Sequence, residues 1–63
     1  MKVWYIQVMV RESKQIYRPN KGYSTFEKAK EAFYALEDVE FEERVLVAMN
    51  DYYHYSVQLM EVE

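Results

Sequence analysis

The chain has no cysteine and only one glycine, one proline and one histidine in 63 residues. Without cysteine, neither disulfides nor a thiolate metal site can reinforce a small core, and a secreted disulfide scaffold is excluded. Gly22 alone cannot build the glycine-rich loop that cradles a phosphate. A Ser–His–acid arrangement would have to combine His54 with Ser13, Ser24 or Ser56, and no motif supports it. His54 with Asp51 is at most half a metal site, because the remaining carboxylates lack ligand spacing, so a solvated or interfacial histidine is expected and no metal or cofactor. Carboxylates are plentiful, but a paired-acid hydrolase needs a cleft that so small a domain rarely encloses. The expectation is a protein that is not an enzyme. No apolar run approaches the roughly 20 residues of a membrane span, and the pattern of a signal peptide is missing, so no membrane partner and a cytoplasmic location are expected.

What is abundant is aromatic and charged. Seven Tyr, three Phe and Trp4 suit an interface, since tyrosine is apolar along its ring and polar at its tip. A single domain of this length buries only about 60% of its unfolded surface, which makes oligomerisation a natural source of further stability. The net charge of −3 is unevenly spread. Residues 1–30 carry seven Lys or Arg against two Glu, a balance of +5, while 31–63 carry one Arg against nine acids, a balance of −8.

One stretch, Ser24–Asp38, has a helical signature. Ser24 followed three residues later by Glu27 predicts a capping box, and Phe26, Ala29, Phe33 and Leu36, widened by Ala32, form one apolar stripe. The rest reads as strand or turn. Residues 2–12 form a long strand whose Trp4, Ile6, Val8 and Val10 make the better core face, with Val3, Tyr5, Gln7 and Met9 opposite. Pro19-Asn20-Lys21-Gly22 predicts a turn into the helix, and Gln15–Arg18 suits a short edge strand folded back through Ser13 and Lys14. After the helix, Val39, Phe41, Val45, Val47 and Met49 alternate, so a second long strand is expected to begin near Phe41 or Arg44. Asn50-Asp51 then turns the chain into a third strand, Tyr52–Val62. A three-residue loop, with a left-handed or bulged residue near Tyr52, would set Val45, Val47 and Met49 beside Val57, Tyr55 and Tyr53 under the helix. The expected fold is one α+β domain in the order β-α-β-β: a largely antiparallel sheet of three strands, four with the edge strand, and one helix on one face.

Such a sheet leaves its second face bare, and the reading assigns to it Val3, Tyr5, Met9, Leu46, Ala48, Tyr52, His54, Met60 and Val62. A patch of that kind marks a self-association or partner surface. Glu37, Asp38, Glu40, Glu42 and Glu43 form an acidic run that serves solubility or faces a basic partner groove. Lys14, Tyr17, Arg18, Lys21 and Tyr23 form a basic and aromatic cluster, the signal for a nucleic-acid binder, set against a net negative charge that disfavours one.

The strand ending in Val10-Arg11-Glu12, then Tyr17-Arg18-Pro19, then the run from Tyr23 to Lys30 opening the helix resembles small orphan proteins of phages and Gram-positive bacteria over most of the chain. That resemblance implies an accessory factor, of the kind that includes inhibitors of bacterial defence systems, acting by binding a host protein; no functional residue carries over from it. The expected function is a non-enzymatic protein-binding module, homodimeric, that occupies a surface of a larger protein through Tyr5, Met9, Leu46, Tyr52, His54 and Met60 and through Glu40, Glu42 and Glu43. The alternatives are a small nucleic-acid binder and a purely structural homodimer.

Overall fold

The computed structural model describes residues 1–18 and 21–62. The turn expected at Pro19 and Asn20 lies outside the described residues. Two nine-residue strands, β1 (Lys2–Val10) and β5 (Tyr53–Glu61), form the centre of the fold. They pair antiparallel along their whole length, from Lys2 opposite Glu61 to Val10 opposite Tyr53. Both are rich in β-branched and aromatic residues with apolar alternation, the composition that suits a pleated, partly buried surface. The short strand β2 (Ile16–Tyr17) pairs with Val8 and Met9 on the outer side of β1. Further along the same edge, Tyr23 exchanges both backbone hydrogen bonds with Trp4, at 2.9 and 2.7 Å. Gly22 is needed there for close approach: a Cβ at this position would collide with Val3 Cγ1.

On the other side of β5 stand β4 (Val47–Met49) and β3 (Glu40–Glu42), giving a five-stranded antiparallel sheet in the order β2-β1-β5-β4-β3. The α+β class and the single helix agree with expectation; the strand count and the order of elements after the helix do not. In place of one long strand from Phe41, residues 43–46 turn the chain back on itself. Leu46 takes φ 50° to close that turn while its side chain packs against the core. A left-handed conformation is uncommon for a leucine, and core packing is what offsets it.

The last hairpin also departs from its expected register. Met49 lies opposite His54, Ala48 opposite Tyr55 and Val47 opposite Ser56. A two- or three-residue loop would give neither pairing. The Asn50 side chain instead accepts from the amides of Tyr52 and Tyr53 at 2.9 and 2.8 Å, and the Asn50 amide donates to the Tyr53 carbonyl at 3.0 Å. An asparagine side chain thus replaces one backbone link of the turn. Tyr52 is not among the left-handed residues, which are Lys14, Asp38 and Leu46 among those described.

Because alternate residues of a strand point to opposite faces, this shift puts Ala48 under the helix and Val47 and Met49 on the other side. The core is Ile6, Phe33 and Ala48, surrounded by Ala32, Leu36, Val39, Leu46, Tyr55 and Val57. Val45, expected in that layer, is exposed.

The helix α1 (Phe26–Tyr34) is shorter than its pattern suggested. Thr25, not Ser24, caps it: Thr25 has extended backbone, and its Oγ1 accepts from the Lys28 amide at 3.2 Å. The expected capping box is not formed: with Phe26, which packs at 5.0 Å against Trp4, as the first helical residue, the third helical position is Lys28, which has no carboxylate to reach back to the cap. At the far end the Leu36 amide donates to the Phe33 carbonyl, and Asp38 turns left-handed at φ 58° while its carbonyl accepts from Asn50 Nδ2 at 3.3 Å. Glu37 and Asp38 follow a last turn with no basic residue, where acids oppose the helix dipole.

Thr25→Ala is expected to lower unfolding free energy by about 1 kcal/mol and Ser24→Ala by less than about 0.5 kcal/mol, measured by urea denaturation; equal effects would return the cap to Ser24. Phe33→Ala, emptying the largest fully buried side chain, is expected to remove roughly 3–5 kcal/mol. For so small a core that is sufficient to unfold the chain, visible as loss of far-ultraviolet circular dichroism.

Candidate protein-interaction surfaces

The helix lies on one side of the sheet and leaves two surfaces uncovered. The first is the opposite face. Register places Val3, Tyr5, Gln7 and Met9 of β1 beside Met60, Gln58, Ser56 and His54 of β5, followed by Val47 and Met49 of β4 and Glu42 and Glu40 of β3, with Ile16 next to Met9. Of the residues assigned to this face by sequence, Val3, Tyr5, Met9, His54 and Met60 are there. Leu46 and Ala48 are not, because the turn at 43–46 and the new register carry both into the core layer. Tyr52 sits in the hairpin turn, 73% exposed.

The acids Glu40 and Glu42 project on the bare face at its β3 edge, and Glu43 is in the turn beyond. Tyr5 is buried, only 8% exposed, and the Arg18 guanidinium stands over its ring at 5.7 Å. Arg18 Nη1 also lies 3.7 Å from Met60 Sδ, so this cation reaches inward from the β2 edge across the apolar surface. Its position over an aromatic ring is the geometry of a cation–π contact. Gln58 Nε2 donates to Ser56 Oγ at 3.0 Å in the centre of the face.

The second uncovered surface is on the helix side, where most of the sheet tyrosines lie. Tyr17 is paired with Val8, Tyr55 with Val8 from the other side, and Tyr53 with Val10. A nine-residue helix spans about 14 Å and a nine-residue strand about 30 Å, so α1 cannot cover the whole of β1 and β5. The uncovered end presents Tyr52, Tyr17 and Tyr53, all exposed, with ring centroids 6.4 Å apart for Tyr52–Tyr53 and 6.1 Å for Tyr53–Tyr55. The hydrogen bonds of Asn50 fix the backbone of Tyr52 and Tyr53, and Tyr17 Oη donates to Gln15 Oε1 at 2.8 Å. A recess of about 240 Å³ continues from Val8 and Tyr55 towards Ile6, Ala32 and Leu36, with Tyr23 and Lys21 at its wall. Of the two tyrosines expected beneath the helix, Tyr55 packs against the core there, while Tyr53, beyond the reach of a nine-residue helix, is exposed.

The basic and aromatic cluster is divided by the sheet. Arg18 lies on the bare face, while Lys21 Nζ stands 5.6 Å from the Tyr23 ring on the helix side. Lys14 occupies the left-handed position of the turn between β1 and β2. His54 sits between Met9 and Met49 in its cross-strand row, and Asp51 is in the turn before it. Among the described residues, no three His, Asp or Glu side chains are grouped to hold a metal ion, and no helix is long and apolar enough to cross a membrane. No family model, curated protein or solved structure matches this chain, so its surfaces are the ground for reading what it does.

Proposed function

We propose that this chain is a non-enzymatic, cytoplasmic protein-binding module that works by occupying a surface of a larger protein. The observation that carries the reading is the uncovered aromatic end of the helix side, where Tyr17, Tyr52 and Tyr53 are exposed around Val10. Tyrosine offers a large, amphipathic contact with few rotatable bonds, so little conformational entropy is lost when it is held at an interface. Asn50 fixes two of the three in advance, and the recess beyond Val8 provides a concavity for one apolar side chain of a partner. The accessory factors of phages and Gram-positive bacteria that the sequence resembles act in this manner, by binding and without catalysis.

Immobilised protein incubated with lysate of the source cell or its host is expected to retain a partner in high salt, because an aromatic contact is screened little. Tyr53→Ala and Tyr52→Glu are each expected to weaken that retention by about 30-fold or more, as befits anchor residues. Retention unchanged by both substitutions would sink the tyrosine patch as the site. Retention that fell steeply with salt and vanished on Lys21→Glu would instead support nucleic-acid binding.

A further inference from the structure

On the bare face one cross-strand row sets a methionine on each side of the single histidine: Met9 of β1, His54 of β5 and Met49 of β4. The two pairings differ in closeness. The Arg11 amide donates to the Tyr52 carbonyl and the Asn50 amide to the Tyr53 carbonyl, both at 3.0 Å, so by alternation Met9–His54 is a hydrogen-bonded pair and Met49–His54 a non-hydrogen-bonded one. Their Cα separations are then about 5.5 and 4.5 Å, and the side chains of all three stand on one face within about 10 Å. Met9 and His54 are half-buried and Met49 is exposed, so the row is open to small solutes. Among the described residues the His54 ring makes no hydrogen bond, which leaves its nitrogens open to a ligand.

We infer that Met9, His54 and Met49 form a binding site for one soft monovalent metal ion, copper(I), with two thioether sulfurs and one imidazole nitrogen as its ligands. Thioethers are soft donors that select copper(I), and imidazole suits copper as well. Methionine is unbranched and turns about three bonds, so the two outer sulfurs can lean in over the central ring. Two extended methionine arms and two metal–sulfur bonds of about 2.3 Å match the span of the row.

The surroundings favour a cation and disfavour a harder one. The recess of about 410 Å³ that Met49 borders carries the carboxylates of Asp38, Glu40 and Asp51 against the one guanidinium of Arg11, and that guanidinium is engaged by the Asn50 carbonyl at 2.9 Å. A hard or borderline dication has no ready ligand set there, because no three His, Asp or Glu side chains are grouped among the described residues. Met60 shares the face but not the site: it lies six residues along β5 from His54, about 20 Å away, with its sulfur 3.7 Å from Arg18 Nη1. The site goes beyond the binding role proposed above and lies on the opposite side of the sheet from the tyrosine patch.

The test is an anaerobic titration of the purified chain with copper(I), kept reduced by ascorbate and held initially by the chromogenic chelator bathocuproine disulfonate. The chain is expected to withdraw one equivalent, with the His54 ring and the Met9 and Met49 methyl resonances shifting in the nuclear magnetic resonance spectrum and that of Met60 unmoved. Met9→Leu and Met49→Leu conserve volume and apolarity, so wild-type circular dichroism is expected of both. Each is expected to weaken uptake by about tenfold or more, since even the outer partners of metal ligands are worth about 10- to 100-fold, while Met60→Leu leaves it unchanged. A chelator that keeps all its copper, uptake indifferent to both leucine variants, or displacement of the copper by an equal concentration of zinc(II) would each overturn the site. Retention of a protein partner by the tyrosine patch is measured separately, and its failure would leave the copper titration as it stands.

Discussion

Nine cross-strand pairs between β1 and β5 hold the two ends of the chain together, and the rest of the structure takes its place from that ladder. Lys2 and Glu61 are opposite each other at one end and Val10 and Tyr53 at the other. The terminal amine donates to the Val62 carbonyl at 3.1 Å and the Val62 amide to the Met1 carbonyl at 2.7 Å, so the pairing continues to the first residue. Contacts between residues so far apart in sequence require nearly the whole chain to close as a loop first, which makes them slow to form and dependent on everything between them. Once formed, the ladder fixes parity on both strands. Trp4, Ile6, Val8 and Val10 then share a face with Leu59, Val57, Tyr55 and Tyr53, and the helix has only one side on which to dock.

The core that results is small. Ile6, Phe33 and Ala48 form its centre, and the aromatic rings of Phe33, Tyr34 and Phe41 meet at 5.2 to 5.5 Å over the β3 side. One short helix cannot shield a five-stranded sheet, so apolar and aromatic surface remains on both sides of it. The two remainders differ in chemistry. One is aliphatic and thioether-rich, with the Arg18 guanidinium over Tyr5 and the acids Glu40 and Glu42 at the β3 edge; the other is tyrosine-walled and leads to a recess.

Several features were legible in the residues. The alternation along Lys2–Val10 identified both the strand and its core face, and the short strand after Lys14 lies where Gln15–Arg18 suggested it. Phe26, Ala29 and Phe33 named the helix stripe. The turn at Glu43–Leu46 was illegible because it contains no glycine, proline or asparagine, and the alternation on either side of it reads as one uninterrupted strand. Asn50 was recognised as a turn residue, but which backbone amides its side chain would bind, and hence the register of Ala48 and Tyr55, depends on a four-residue loop with no two-residue precedent in its sequence. Ala48 left the bare face for that reason and Leu46 because of the turn, while Tyr53 and Tyr55 keep the helix side that the alternation of β5 predicts.

By itself the sequence determined the class of the fold, the core face of β1 and the position of the helix, because hydrophobic periodicity is a local property that each segment carries without reference to the others. Tertiary structure alone decided which side chains share the bare face, where its charges fall and how much of the tyrosine-bearing face stays uncovered. Those outcomes follow from register and from the relative lengths of helix and strand. A shift of one residue in register exchanges the two faces of a strand, and no residue in the strand itself records which exchange was made.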